Sequence, residues 1–187
     1  MEWFDSNFYI GEDVTTLSQC CRVLADTTKL TGFINSIGGT ALSVGSIKVN
    51  TINLRRIALE SKFNEDEFLN ILEKKVILCE KTLEIVRNII KRNAEKGLLP
   101  NYSCGLIEMS KQYNTIGITA IYEALEDFGY IYSDIFNNKY YSEKAMNFSK
   151  RILSRINILK DEFTKEKDYT QNLECIPAER ANVILSK

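Results

Sequence analysis

The sequence contains no histidine, and this absence removes several kinds of chemistry at once. It excludes Ser-His-Asp and Cys-His nucleophile pairs within the chain, histidine-ligated zinc, and the acid–base group that most often works near neutral pH. Cysteine, carboxylate, lysine and tyrosine side chains remain for chemistry. The five cysteines show no CxxC spacing, so we expect reduced thiols and neither a disulfide framework nor a metal site.

An excess of charge of one sign and long apolar runs are lacking as well. The chain has 24 lysines and arginines against 25 acidic residues, so no overall field recruits a nucleic-acid polymer. No uncharged apolar run reaches the roughly 18 residues of a membrane span. The opening segment, MEWFDSNFYIGED, has neither the basic nor the apolar region of a signal peptide. We therefore expect a cytoplasmic protein that binds neither nucleic-acid polymers nor membranes.

Hydrophobic periodicity predicts a helix-rich α/β protein, interpreted as a single domain over residues 1–187. Residues 1–45 show no clear period and contain the vicinal pair Cys20 and Cys21. Cys79 and Cys104 are expected to be packing residues, and Tyr140 and Tyr141 to cover the edges of the core. The predicted elements are strands over about 46–54 and 169–176, helices over about 64–96, 120–128 and 142–165, and a short helical piece near 103–112. Strands separated by long helices favour mostly parallel pairing.

Four stretches, taken in order, resemble the anaerobic (class III) ribonucleotide reductases over about residues 15–187. They are SQCCR at 18–22, SIGGT at 36–40 with GSIKVNTINLRRIA at 45–58, NTIGI at 114–118 with YEAL at 122–125, and DYTQNLECIPAE at 168–179. Two positions depart from the family pattern, because Arg55 stands in place of a proline and Lys48 in place of a glycine.

The resemblance implies part of a ten-stranded, ribonucleotide-reductase-type α/β barrel, with the finger-loop region in 1–45 and the strand-and-helix part in 46–187. It implies an oxidoreductase that reduces ribonucleotides to deoxyribonucleotides, for DNA replication, by thiyl-radical chemistry. Cys21 is the implied thiyl residue, because it precedes Arg22 as the family's cysteine precedes its arginine. The alternative is a purely structural role, in which Cys20 and Cys21 are ordinary buried packing residues.

The resemblance also implies what the chain needs from elsewhere. No cofactor is expected within it, because nothing here resembles the segment that carries the family's glycyl radical, which a radical-SAM activase installs. We therefore expect the chain to be inactive without the remaining reductase segments or chains. An exposed barrel edge could also pair two copies into a homodimer. The alternative function is a non-catalytic binding or assembly module derived from the same barrel.

Two polar residues of the first predicted barrel strand are candidates for binding the ribose of a ribonucleotide. Ser46 and Asn53 could bond its hydroxyl groups, or they could satisfy backbone groups near the strand end. Side chains alternate along a strand, so these two residues lie on opposite faces unless the strand contains a bulge.

The last candidates surround the end of the final predicted strand. Pro177, Ala178, Glu179 and Arg180 could open a helix whose free N–H groups suit a phosphate. Proline at a first helical turn is equally a plain structural signal. Glu174 is either an active-site carboxylate or a solvated strand residue.

Overall fold

The computed structural model of the protein describes residues 16–19, 22–26, 45–167 and 169–175. Its contacts divide the chain into two units, Met1–Val44 and Gly45–Lys187. In the first unit, strands β1 (Thr16–Gln19) and β2 (Arg22–Asp26) pair as an antiparallel hairpin. These strands were not predicted from the sequence, because strands of four and five residues are too short to show a clear alternation of polar and apolar residues.

The second unit alternates strands and helices. Strand β3 (Gly45–Asn53) leads into helices α1 (Leu54–Glu60), α2 (Glu65–Glu95) and α3 (Pro100–Ser103), a 3-10 turn at Met109–Lys111, and strand β4 (Gln112–Thr119). Helix α4 (Ile121–Asp127), strands β5 (Ile131–Ser133) and β6 (Lys139–Tyr141), helix α5 (Glu143–Glu166) and strand β7 (Gln171–Cys175) follow. The helix-rich α/β fold class is confirmed.

Three parallel strands form the central sheet of this unit, in the order β3-β4-β7. Each crossover between neighbouring strands contains helices, as parallel connections require. The middle strand β4 is buried from Gln112 to Ile118. The predicted parallel pairing is confirmed for these strands.

The two long helices begin where the sequence places capping residues. The Asn64 side chain accepts a hydrogen bond from the backbone N–H of Glu67 at 2.9 Å, and Ser142 accepts one from that of Ala145 at 3.1 Å. After α2, Gly97 adopts a left-handed conformation with φ of +71°. Such a conformation favours glycine and ends the helix as predicted.

The core lies between the sheet and helices α1, α2, α4 and α5. It contains an aromatic cluster in which the ring centroid of Phe148 lies 5.3 Å from that of Phe68, 5.0 Å from that of Phe128 and 6.0 Å from that of Tyr130. Phe68 and Phe148 are almost completely buried. The cluster joins α2, α5 and the segment after α4 into one packed body.

The connecting segments differ in part from the predictions. The helical piece predicted near 103–112 is present only as the end of α3 and the 3-10 turn at Met109–Lys111, with a left-handed turn at Gly105 between them and β4 beginning at Gln112. Cys104 is exposed there and does not pack in the core. Tyr140 and Tyr141 are 43% and 50% exposed, because they belong to the unpredicted β5–β6 hairpin. In the described part of the chain, no helix has an apolar stretch of membrane-spanning length.

Candidate functional site

The two faces of the central sheet differ in their side chains. Ile52, Ile116 and Ile118 belong to the core, and Leu173 packs against it. Side chains alternate along strands, and residues paired in register share a face. The opposite side, called here the polar face, carries Ser46, Val49, Thr51 and Asn53 from β3, Tyr113, Thr115, Gly117 and Thr119 from β4, and Asn172 and Glu174 from β7, most of them polar.

A bulge in β3 brings the two candidate ribose ligands to the same face. The register shifts between Ser46 and Lys48, so that Ser46 pairs with Tyr113 while Asn53 pairs with Thr119. Those two partners are six residues apart on the regular strand β4, and therefore point the same way. Simple alternation placed Ser46 and Asn53 on opposite faces, and the bulge overturns that placement.

Ser46 and Asn53 already have partners within the protein. The Ser46 hydroxyl is 2.7 Å from that of Thr115 and donates to the backbone oxygen of Lys48 at 3.4 Å. The Asn53 side-chain oxygen accepts from the backbone N–H of Arg56 at 3.1 Å and caps α1. Of the two alternatives for Asn53, the structure thus supports a side chain that satisfies a backbone N–H group near the strand end. Ser46 as a whole is an exposed residue.

The middle of the polar face contains a position without a side chain. Gly117 lies between Thr51 and Glu174 in the register, and contributes no side chain to this face. A glycine inside a strand often marks a place where a ligand approaches the backbone. Glu174 is half-buried beside it. The arrangement combines hydroxyl, amide and carboxylate groups that suit the hydroxyl groups of a sugar.

Sequence reasoning missed Thr115 and Asn172, which are paired in register. Thr115 is completely buried, and Asn172 has a buried Nδ2 that lacks a hydrogen-bond partner among the described residues. A buried donor of this kind is costly unless a ligand or water accepts from it. Asn172 lies in the DYTQNLECIPAE stretch, which was the available signal. Its position beside Thr115 depends on the pairing of β4 and β7, which no local pattern shows.

Residues of α2 contact Tyr169, in the segment that leads into β7. The Tyr169 hydroxyl donates to Glu80 Oε1 at 3.0 Å, and the Arg87 guanidinium lies 4.2 Å from the centre of the Tyr169 ring. Arg87 also donates to the backbone oxygens of Met109 and Gln112, at 2.8 Å each. Because β7 carries Asn172 and Glu174, these contacts help to position the polar face.

Burial raises the pKa of the Glu80 carboxyl, an effect that the hydrogen bond from Tyr169 partly opposes. A raised pKa means that folding disfavours the charged carboxylate. The carboxyl is therefore neutral and costs no stability below its unfolded pKa of about 4.3, and the destabilisation is complete above the folded-state pKa. Glu80→Gln should therefore gain stability relative to the wild type as pH rises from 5 to 8. Urea unfolding at both pH values measures this difference, with the exposed Glu95→Gln as control. If the difference in the free energy of unfolding between Glu80→Gln and the wild type is the same at both pH values, the Glu80 carboxyl does not have a raised pKa.

Of the remaining candidate residues, Cys79 lies in the described structure. Burial raises the pKa of the Cys79 thiol to about 12, so that it remains a neutral packing residue, as expected. No group of acidic or cysteine side chains in the described ranges is placed to hold a metal ion. Cys20 and Cys21 fall between β1 and β2 in the sequence, outside the described residues, as do Pro177, Ala178, Glu179 and Arg180.

A surface groove of about 480 Å³ runs beside β3 and helices α1 and α2. Two residues of the polar face, Thr51 and Asn53, line it, together with α2 residues such as Lys75, Leu78 and Thr82. Among the described residues, Ser46 and Glu174 do not line the groove. The groove therefore meets the polar face only at its β3 end.

Arg55, one of the departures from the family pattern, has a structural role. Its guanidinium binds both carboxylate oxygens of Asp127, at 2.7 and 3.3 Å, and thereby links α1 to α4. The substituted residue, itself 52% exposed, thus contributes a contact between these two helices.

The fold and the polar face define a piece of a ribonucleotide-reductase-type barrel, and comparisons with known proteins agree. The family model described as anaerobic ribonucleoside-triphosphate reductase matches residues 2–186. The chain belongs to this family. A comparison with curated proteins found no match.

Solved structures of the anaerobic ribonucleotide reductase from Thermotoga maritima are similar to this chain. One with citrate in the active site is 41% identical, with a TM-score of 0.75, over 81% of this chain and 28% of that one. One in complex with dATP and CTP is 40% identical, with a TM-score of 0.71, over 74% of this chain and 23% of that one. The chain thus spans about a quarter of the length of these relatives.

Proposed function

We propose that this chain supplies part of the catalytic barrel of an anaerobic ribonucleotide reductase, and that its polar face lies against the ribose of a ribonucleotide. The observation that carries the proposal is the β3 bulge, which places Ser46 on the same face as Asn172 and Glu174. Relatives solved with dATP and CTP support a nucleotide as the ligand class.

In the proposed reaction, Cys21 acts as a thiyl radical that removes the hydrogen from the 3′ carbon of the ribose. The 2′ hydroxyl leaves as water, and two electrons come from formate, oxidised to carbon dioxide, or from a dithiol, oxidised to a disulfide. The Cys21 thiol then returns its hydrogen to the 3′ carbon. The chemistry needs no histidine, in keeping with the composition.

The proposal requires other molecules. A glycyl radical on a further reductase segment, installed by a radical-SAM activase, would supply the unpaired electron that Cys21 needs. We place the complex in the cytoplasm, where nucleotides and reductants are available. A homodimer that pairs exposed sheet edges is compatible with this assembly.

Anaerobic calorimetry with ribonucleoside triphosphates tests nucleotide binding by the full chain. We expect Arg180→Ala to weaken binding about tenfold, because a charge-assisted bond to phosphate is lost. Arg92→Ala, an exposed arginine near the end of α2, is the charge-matched control and should bind as the wild type does. Absence of binding to every ribonucleotide, or equal losses in both variants, would count against a retained nucleotide site.

The alternative of a non-catalytic assembly module predicts a different outcome for the reconstituted complex. A module of that kind would bind the remaining reductase polypeptide but would be unaffected by changes at Cys21. Nucleotide reduction by the completed complex therefore separates the two functions.

A further inference from the structure

The β5–β6 hairpin exposes two large apolar side chains at its tip. Ile135 is 93% exposed and Phe136 is 78% exposed, and we call these two residues the apolar tip. On the strands below, the rings of Tyr132 and Tyr140 stack at 5.5 Å. A loop that meets only water is usually polar, whereas clustered apolar and aromatic side chains mark interaction sites.

The apolar tip is held in a defined conformation by Asp134. Its Oδ1 accepts from the backbone N–H groups of Phe136 and Asn138, at 2.8 Å each. Its Oδ2 accepts from the Asn138 side-chain nitrogen at 2.7 Å and from the Tyr140 hydroxyl at 3.1 Å. These bonds lower the pKa of the Asp134 carboxyl, so that it stays charged at neutral pH. A loop organised in advance loses little entropy when it binds.

The size of the apolar tip indicates what kind of partner covers it. Two large side chains bury roughly 300 to 400 Å². A stable interface between two separate proteins needs about 800 Å² on each partner. The apolar tip alone is therefore too small to hold a second copy of this chain, and it suits a partner that is also held elsewhere.

The remaining reductase polypeptide is such a partner. The solved relatives are about four times as long as the stretch that matches this chain, so most of the reductase surface lies outside that stretch. In the described sheet, β3 and β7 each leave one edge unpaired, which offers further contact to the same partner. This step rests on the proposed function.

We propose that the apolar tip, Ile135 and Phe136 held by Asp134, docks into an apolar pocket of the polypeptide that completes the reductase. The docking adds a specific anchor to whatever contacts the open sheet edges make. It also assigns a function to the β5–β6 hairpin, which contributes no residue to the polar face.

The test measures binding of the full chain to the Thermotoga maritima anaerobic reductase polypeptide from which the matching stretch has been removed. The double variant Ile135→Ser/Phe136→Ser should weaken binding about 10- to 100-fold in surface plasmon resonance. Asp134→Ala, which keeps both apolar side chains but releases the loop, should weaken it several-fold. The control is Leu78→Ser/Ile85→Ser, which alters two side chains on α2 that are 60% exposed each.

Each outcome of this test decides the proposal. Unchanged binding by the tip variant, an equal loss in the α2 control, or no binding by the wild type would overturn it. Sedimentation showing that the tip variant abolishes self-association would assign the surface to a second copy and overturn it too. A wild-type complex that forms but reduces no nucleotide would instead refute the proposed function and leave the docking intact.

Discussion

Replacing Cys21 with serine is expected to lower nucleotide reduction by the completed reductase by a factor of about 10³ or more. Serine has nearly the same size, but its O–H bond is much stronger than the S–H bond of a thiol. A glycyl radical therefore cannot abstract that hydrogen, and no radical forms at position 21 to attack the ribose. The chain has no histidine to support another route. Deoxyribonucleotide formed under anaerobic conditions, with activase and formate or a dithiol present, measures the loss.

Cys20→Ser is the matched control for this prediction, because it changes the neighbouring thiol in the same way. We expect it to retain most of the activity, and Cys104→Ser, at an exposed position outside the polar face, to retain all of it. If Cys20→Ser is inactive while Cys21→Ser still reduces nucleotide, the thiyl role belongs to Cys20. If both variants remain active, neither thiol carries the radical.

The largest expected effect on stability comes from the aromatic cluster of the core. Phe148→Ala removes a ring that contacts Phe68, Phe128 and Tyr130, each with centroids within 6.0 Å. The side chain is 1% exposed, so its loss leaves a cavity that the surrounding helices cannot readily close. We expect the free energy of unfolding to fall by about 3 to 5 kcal/mol. Urea unfolding followed by circular dichroism measures this change.

Phe136→Ala provides the comparison, since the same ring is removed at a site that is 78% exposed. We expect a change of less than about 0.5 kcal/mol there. A loss for Phe148→Ala that is no larger than the loss for Phe136→Ala would show that the cluster does not form as described.

The long helices could be predicted from the sequence because their signals are local. Asn64 and Ser142 cap α2 and α5 as their side chains suggest, and Gly97 and Gly129 adopt the left-handed conformation that glycine favours. The strands around Val49 and Leu173 were also predicted, because β-branched and apolar residues mark them. The resemblance in four ordered stretches predicted the family, and the family model confirms it.

The sequence could not show how the strands pair. Without the register, nothing indicates that Asn172 lies beside Thr115, or that Gly117 separates Thr51 from Glu174. The bulge after Ser46 reverses the face that simple alternation assigns to that residue. The short β5–β6 hairpin was missed because three-residue strands are too brief to show a period.

We propose that the polar face, from Ser46 to Glu174, contacts the sugar of the substrate. The most direct measurement is an experimental structure of this chain, completed by the remaining reductase polypeptide and bound to a ribonucleoside triphosphate. We expect the ribose against β4 near Gly117, with the Cys21 sulfur facing its 3′ carbon. A nucleotide bound away from Gly117 and Glu174, with Cys21 far from every sugar, would contradict this expectation.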